Sequence, residues 1–215
     1  MTGPTKVLLV DDHAIVREGY RRLLEDEASI SVVGEAGNAA QAYEQARSLE
    51  PDVVVMDIAL PGVSGIEATR RMLRDQPPLR ILMFSMYDDA IYARRALEAG
   101  ALGYLSKASA PEVLVRAIYA VSRGERYVSP DVATNIAQSA AQPGKSEIEA
   151  LTPREFEVLR LLVQGETVKS ISEKLALSEK TVANHQSAIR EKLGARNSAQ
   201  LARLASQLGL NLSRE

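Results

Sequence analysis

Short apolar runs recur along the first 122 residues and predict buried strands. They are rich in Val, Ile and Leu, and each is four or five residues long, as expected of strands covered on both faces. The runs are Lys6–Val10, Ile30–Gly34, Asp52–Met56, Arg80–Phe84 and Leu102–Leu105. Between them, apolar positions return at helical spacing. Five strands alternating with five helices predict an α/β fold with a five-stranded, parallel, doubly wound sheet.

The alternation stops after residue 122. Residues 123–146 are rich in Ser, Ala, Gln and Pro and are interpreted as a linker, in which Ser129–Ala140 can form a short helix. Residues 147–215 carry only helical patterning, with helices predicted at 153–163, 167–175, 179–193 and 198–207. The sequence thus divides into an α/β domain at 1–122, the linker, and a small all-α domain at 147–215.

Carboxylates follow two of the predicted strands. Asp11 and Asp12 close the first strand and Asp57 closes the third. The carboxyl ends of parallel strands form the usual ligand-binding edge, so these groups are expected to converge and repel one another. A hard divalent cation with oxygen ligands, such as Mg²⁺, relieves that repulsion. A carboxylate beside Mg²⁺ can then attack a phosphoryl group and form an aspartyl phosphate.

Two more strand ends carry groups that can bind a phosphoryl group. Ser85 ends the fourth strand with a hydroxyl, and Lys107 follows the fifth with a cation. Each residue alone could merely cap a helix or hold a loop. The whole set, spread over four strand ends, favours a phosphoryl-transfer site.

The sequence around these residues resembles the receiver domain of two-component response regulators over about residues 5–122. The resemblance is carried by Val10–His13, Met56–Gly65, Ser85–Asp89 and Gly103–Lys107. It implies a flavodoxin/CheY-like fold in which Asp57 is the phosphoacceptor. It also implies that Mg²⁺ is held by Asp11, Asp12, Asp57 and the backbone carbonyl of Ala59. Ser85 and Lys107 would bind the phosphoryl group.

Three further residues lie near this site in the sequence. The resemblance makes Tyr104 an aromatic switch that turns inward when Ser85 moves, although ordinary core filling is the alternative. Met86 is bulkier than the residue many receivers have there and is expected to hinder access to the acyl phosphate. His13 is expected to have a cap or surface role, without a part in the chemistry.

Residues 166–193 predict a helix-turn-helix, because two amphipathic stretches are separated by a short turn and a capping serine, Ser178. The exposed face of the second helix offers amide, hydroxyl and cationic groups, which can bind base edges and phosphates. These residues are Lys180, Ala183, Asn184, Ser187 and Arg190. By periodicity alone, a helical bundle for protein contacts is equally compatible.

The residue pattern of this segment is similar to the LuxR-type helix-turn-helix, from Leu151–Glu155 through Ser178, Thr181 and Val182 to Gly194. With the receiver it resembles the NarL/FixJ class of response regulators, and residues 168–175 favour the GacA/UvrY-like branch. That resemblance places base contacts at Ala183, Asn184 and Ser187. Phosphate contacts are expected from Lys169, Lys180, Thr181 and Lys192. Many members have lysine at the position of Ala183, and His185 is expected to be structural.

Composition adds few constraints. Net charge is −2, with 14 basic against 17 acidic residues in 1–124 and 11 against 9 in 145–215. The absence of cysteine excludes disulfides and thiolate metal sites. No secretory signal and no apolar run near the ~18 residues of a membrane span is present, so a soluble, cytoplasmic protein without membrane contact is expected.

These features predict a two-component response regulator. A sensor histidine kinase would phosphorylate it, and phosphorylation would control sequence-specific binding to double-stranded DNA and transcription, with a homodimer expected after phosphorylation. It would not be an enzyme beyond catalysing its own phosphorylation and dephosphorylation. Two other functions are compatible with parts of the sequence: an aspartyl phosphatase acting on small esters, and a regulator whose last domain binds a protein.

Overall fold

A computed structural model describes most of the 215-residue chain. The described residues are 3–87, 90–140, 150–175, 177–197, 200, 201, 203 and 204. They divide into two compact units, which meet in sequence at Ser139 and Ala140.

The first unit is built on a parallel sheet in the order β2-β1-β3-β4-β5-β6. Its strands are β1 (Thr5–Val10), β2 (Ile30–Ala36), β3 (Val53–Met56), β4 (Ile81–Ser85), β5 (Gly103–Ser106) and β6 (Tyr127–Val128). The parallel α/β fold is confirmed, but the prediction of five strands was wrong by one. Strand β6 is only two residues long and follows Arg126, so it has no apolar run to reveal it. It lies in the segment interpreted as linker and pairs with β5.

Among the described residues, six helices connect or follow these strands. They are α1 (Ala14–Glu25), α2 (Ala39–Leu49), α3 (Gly65–Asp75), α4 (Ala90–Glu98), α5 (Pro111–Ser122) and α6 (Pro130–Ala140). Side-chain caps fix two of the starts: Asn38 accepts from the N–H of Gln41, and Ser64 from that of Glu67. Helix α6 begins at Pro130, where the Ser129-Pro130 pair predicts a helix start.

The core of this unit holds the strand ends in place. Val7, Val53 and Leu82 are fully buried in the sheet and pack with Leu114 and Ile118 of α5. Burying a side chain of this size stabilises the fold by about 1.5–3 kcal/mol. The central strands are therefore rigid supports for whatever groups follow them.

In its described part, the second unit contains only helices and the turns that connect them. Its helices are α7 (Pro153–Val163), α8 (Val168–Lys174) and α9 (Glu179–Lys192). Each begins with a hydroxyl cap, from Thr152, Thr167 and Ser178 respectively. Residues 200, 201, 203 and 204 are helical, and the rest of the helix predicted at 198–207 lies outside the described residues.

Apolar residues from all three helices meet in the core of the second unit. Phe156 and Leu159 of α7, Ile171 of α8, and Val182 and Ile189 of α9 are buried. Helices α8 and α9 are separated by a short turn, as the helix-turn-helix layout requires. Among the described helices of both units, none combines the length and apolarity needed to cross a bilayer.

Candidate phosphoryl-transfer site and nucleic-acid interface

The predicted acidic cluster forms at the carboxyl edge of the sheet. The N–H of Asp57 donates to the carbonyl of Val10 at 2.8 Å, which places the end of β3 beside the end of β1. One ligand atom from each of Asp11, Asp12, His13 and Asp57 lies within 4.8 Å of the others. Asp11 and Asp57 are buried, whereas Asp12 is exposed. The sheet thus brings together carboxylates that are 46 positions apart in sequence.

Lys107 supplies the positive charge of this cluster. Its Nζ donates to Asp57 Oδ2 at 2.7 Å and also to Asp11 Oδ2. Its side chain is only 5% exposed. Burial opposes the charged form, but the attraction and hydrogen bonds of Asp57 and Asp11 outweigh it and raise the pKa of Lys107 above its ordinary 10.5. The lysine is therefore a permanent cation that links three strand ends.

The second oxygen of Asp57 is held by its own loop. Asp57 Oδ1 accepts from the N–H of Ile58 at 2.6 Å and from that of Ala59 at 3.4 Å. The loop can close this tightly because α3 begins with a glycine. A Cβ on Gly65 would lie 1.8 Å from the carbonyl oxygen of Asp57, a distance no side chain can adopt.

His13 lies closer to the acidic pair than the sequence suggested. It occupies the N-cap position of α1 without a side-chain capping bond. Its Nδ1 is 2.7 Å from Asp12 Oδ1 and 3.3 Å from Asp11 Oδ1. Partial burial raises the pKa of Asp12, with Asp11 and Asp57 adding to the rise and His13 opposing it. The exposed ring of His13 thus offsets part of the repulsion in the cluster.

The donor set fits the cation that the sequence implies. Three carboxylates share one small space at the sheet edge, and carboxylate oxygens are the ligands that Mg²⁺ prefers. Partial burial, and after it the charges of Asp11 and Asp57, raise the pKa of Asp12, and a bound cation would favour its charged form. The participation of the Ala59 carbonyl stays a prediction.

The end of β4 is hydrogen-bonded both to Lys107 of the charged cluster and to the loop at Tyr87, which also contacts two other tyrosines. The backbone N–H of Lys107 donates to the carbonyl of Ser85 at 2.8 Å, and Ser85 Oγ accepts from the N–H of Tyr87 at 3.4 Å. Tyr104 is fully buried and its hydroxyl donates to the carbonyl of Tyr87. The ring of Tyr87 stacks on Tyr92 at 4.7 Å between centroids. Tyr104 therefore already points inward in this structure, bonded to the loop that follows Ser85.

Arg17 is a contributor to the site that the sequence reasoning missed. Its guanidinium donates to the backbone carbonyl of Asp11 and, through Nε, to Glu35 Oε2 at 3.3 Å. It thereby ties α1 and β2 to the end of β1. Its place in the first turn of α1, directly after Val16 and close behind the acidic pair, was the signal available in the sequence. Met86, by contrast, is 60% exposed beside Ser85.

The predicted DNA-contacting groups lie on exposed parts of the second unit. Ala183, Asn184 and Ser187 of α9 are exposed, and so are Lys169 and Lys180. Ser187 Oγ donates to the carbonyl of Ala183 at 3.1 Å. Thr181 Oγ1 lies 2.7 Å from Ser178 Oγ, beside the cap of α9. His185 is half-buried, in line with the structural role expected of it.

Lys192 differs from the other predicted phosphate contacts because it already has an anionic partner. Its Nζ lies 2.7 Å from Glu155 Oε2, at the start of α7. Local sequence patterns do not reveal this pair, since the two residues are 37 positions apart.

Comparison with known proteins assigns both units. Residues 7–119 match the response regulator receiver domain, and residues 149–205 match the bacterial regulatory proteins of the luxR family. The response regulator GacA of Pseudomonas syringae is 40% identical over 207 residues, covering 95% of this chain and 97% of that protein. The response regulator UvrY of Escherichia coli is 40% identical over 206 residues, covering 95% and 94%.

Solved structures agree with this assignment. A LuxR-family two-component response regulator from Aurantimonas sp. is 48% identical, with a TM-score of 0.63, over 65% of this chain and 100% of that one. RcsB from Salmonella enterica serovar Typhimurium, bound to promoter rprA in the presence of phosphomimetic BeF3-, is 28% identical with a TM-score of 0.68, over 95% and 99%. The chain belongs to the two-component response regulators that join a receiver domain to a LuxR-type DNA-binding domain, and its function is phosphorylation-dependent transcription regulation.

Proposed function

We propose that Asp57 accepts a phosphoryl group from a sensor histidine kinase. A carboxylate oxygen of Asp57 forms the new bond to phosphorus while the bond from phosphorus to the kinase histidine breaks, leaving that histidine to take up a proton. The observation that carries this assignment is the convergence of Asp57, Asp11 and Lys107 from three strand ends within hydrogen-bonding distance. Positioning and charge neutralisation of this kind are what phosphoryl transfer requires.

Asp11, Asp12 and Asp57, with the backbone carbonyl of Ala59, would hold Mg²⁺. When bound, this cation supplies neutralisation of phosphoryl charge. Lys107 contributes a second positive charge that belongs to the protein. Its ammonium group would move from the unphosphorylated Asp57 carboxylate to a phosphoryl oxygen. Ser85, whose hydroxyl bonds the loop at Tyr87, would donate to another phosphoryl oxygen. The same groups would support phosphorylation by small donors such as acetyl phosphate, and self-catalysed dephosphorylation.

Movement of Ser85 toward the phosphoryl group would change the loop after β4. Ser85 and Tyr104 both bond Tyr87, one to its N–H and the other to its carbonyl. A shift of Ser85 therefore breaks or reorients the contact that holds Tyr104. We propose that this rearrangement favours a homodimer, as in other switches where added phosphate charge shifts a two-state equilibrium.

The dimer would bind double-stranded DNA in the cytoplasm, where a helix-turn-helix dimer can contact two half-sites. Asn184 and Ser187 would contact base edges, beside Ala183, which offers only a methyl group. Lys169, Lys180 and Thr181 would contact phosphates. RcsB, a relative of known structure, is described as two dimers bound to two parallel DNAs.

A DNA-binding experiment tests the whole function. Binding of labelled genomic fragments is measured at fixed salt, with and without acetyl phosphate and Mg²⁺, for the wild type and for Asp57→Asn. We expect phosphorylation to strengthen specific binding by the wild type and to leave Asp57→Asn unchanged. Asn184→Ala should weaken binding to specific fragments more than to random DNA. Equal stimulation of the wild type and Asp57→Asn would contradict the assignment of Asp57.

A further inference from the structure

The start of α7 is linked to the end of α9 by a nearly buried carboxylate. Glu155 is 6% exposed, and its Oε2 accepts both from the N–H of Thr152 at 2.6 Å and from Lys192 Nζ at 2.7 Å. The N–H of Glu155 in turn donates to Thr152 Oγ1 at 3.2 Å, which completes a capping box. One carboxylate thus caps α7 and pairs with the last turn of α9.

Arg154, the residue before Glu155, links α7 to the turn between α8 and α9. Arg154 donates through one guanidinium nitrogen to the carbonyl of Leu175, the C-cap residue of α8, and through another to Glu157 Oε2 at 2.7 Å. The carbonyls at the end of a helix lack partners within that helix, so this bond fixes the point where the chain turns toward α9. Arg154 therefore holds the turn before α9, and Glu155 holds the final turn of α9.

Helix α9 needs such support, because its apolar anchoring is narrow. Of its 14 residues, Val182 and Ile189 are the buried ones. Two anchors, two helical turns apart on one face, hold a helix against its neighbours but resist rotation about its own axis poorly. One polar bond from α7 holds the chain before these anchors, and the other holds the last turn of α9, next to buried Leu193.

We propose that Arg154 and Glu155 are positioning residues for DNA recognition. Their bonds to the Leu175 carbonyl and to Lys192 form what we call the α7 clamp, and Lys192 belongs to this clamp instead of contacting DNA phosphate. The clamp sets the orientation of α9 at which Asn184 and Ser187 face the base edges. This inference rests on the proposed DNA-binding function, and it replaces the expectation that Lys192 contacts phosphate.

The salt dependence of DNA binding distinguishes a clamp from a phosphate contact. Each lost phosphate contact makes the negative slope of log K for DNA binding against log salt concentration shallower by about 0.9. A change in helix orientation instead weakens specific binding without removing a charge pair with DNA, so the slope stays the same. Glu155→Gln breaks the ion pair yet leaves a residue that can complete the capping box. Lys192→Met breaks the same pair from the other side. Lys180→Met is the matched control, because Lys180 is an exposed lysine on the same helix.

The affinity of the full-length protein for a specific fragment is measured over a range of salt for these three variants and for Glu155→Gln/Lys192→Met. We expect Glu155→Gln and Lys192→Met each to weaken specific binding by roughly tenfold with unchanged slope. The double variant should be no weaker than the single ones, because both remove one interaction. Lys180→Met should make the salt slope shallower by about 0.9. Arg154→Met should weaken specific binding with unchanged slope.

A slope change in Lys192→Met together with wild-type affinity in Glu155→Gln would overturn the proposal and restore Lys192 as a phosphate contact. Hydrogen exchange in the DNA-free protein separates failure of the clamp from failure of DNA binding. We expect the amides in the last turn of α9 to exchange roughly tenfold faster in Glu155→Gln and Lys192→Met, and at the wild-type rate in Lys180→Met. Unchanged exchange in all three variants would reject the clamp, even if the wild type binds DNA as proposed.

Discussion

The phosphoryl-transfer site and the DNA-contacting face are built in opposite ways. In the receiver unit, charged groups from three distant strand ends are buried together, and Lys107 neutralises them from within the protein. On α9, the predicted contacts come from one helix and are exposed, so their counter-charges must come from DNA. Burial therefore creates the chemistry of the first site, whereas helix orientation governs the second.

The two arrangements also differ in how much stability depends on them. Removing one partner of a buried ion pair leaves an uncompensated charge and costs about 3–5 kcal/mol, whereas an exposed pair contributes about 0–1 kcal/mol. Substitutions in the receiver site should therefore affect folding and function together. Substitutions on the exposed face of α9 should affect DNA binding alone.

The largest effect is expected from Lys107→Gln. Asp11 and Asp57 would lose their shared cation while remaining buried, so the free energy of unfolding should fall by about 3 kcal/mol in urea titrations with EDTA. Added Mg²⁺ should recover part of the loss, because it compensates the same carboxylates. Lys6→Gln, at an exposed lysine of β1, serves as the control and should change stability by less than about 0.5 kcal/mol. A similar small change in both variants would show that burial does not govern this site.

A smaller effect should come from the backbone beside Asp57. In Gly65→Ala the new methyl group meets the Asp57 carbonyl, so the loop after β3 must move, at a cost of about 2 kcal/mol. Gly19→Ala is the control, since a Cβ there meets nothing within 4 Å in the middle of α1, and it should stabilise the protein by about 0.5–1 kcal/mol. Thermal unfolding measures both changes. Stabilisation by both substitutions would mean that the loop does not close as tightly as described.

The smallest effect is a pH dependence in the DNA-binding unit. Burial alone would raise the pKa of Glu155, but its bonds with Lys192 and Thr152 outweigh burial and lower the pKa below the ordinary 4.5. Its ionised form therefore stabilises the fold. This contribution is fully present above pH 4.5 and is lost as pH falls through the lowered pKa of the folded protein.

Hydrogen exchange of α7 and α9 amides between pH 6 and pH 3 measures this contribution, after correction for the intrinsic exchange rate. The advantage of the wild type over Glu155→Gln should disappear toward the acid end. A difference between the two proteins that stays constant over the whole range would contradict a role for the Glu155 charge.

The sequence predicted those features that follow from periodicity. Parallel strands and the rule that their carboxyl ends share one edge were enough to bring Asp11, Asp57 and Lys107 together. The starts of α6 and α7 followed from Ser129-Pro130 and Thr152-Pro153, because proline at the first helical position and, for α7, the Thr152 cap are local signals. In each case, the determining residues are neighbours in sequence or share a simple geometric relation.

Other features depended on contacts that periodicity does not encode. Strand β6 is formed by two residues, and its existence depends on the free edge of β5 beside it. Arg17 reaches the Asp11 carbonyl from a helix whose rotation the pattern of apolar residues sets only approximately. Lys192 was predicted as a phosphate contact from its charge and position, since nothing in its local sequence reveals Glu155 as a partner. Long polar side chains choose partners only after the fold has brought elements together.

Chemical location of the phosphoryl group tests directly whether Asp57 is the phosphoacceptor. The protein is treated with acetyl phosphate and Mg²⁺, reduced with borohydride, which converts an aspartyl phosphate to homoserine, and analysed by peptide mass spectrometry. We predict homoserine at position 57, and its absence when EDTA replaces Mg²⁺. Homoserine at Asp11 or Asp12 in place of Asp57 would contradict Asp57 as the phosphoacceptor, and the same yield of product with EDTA would contradict the need for Mg²⁺.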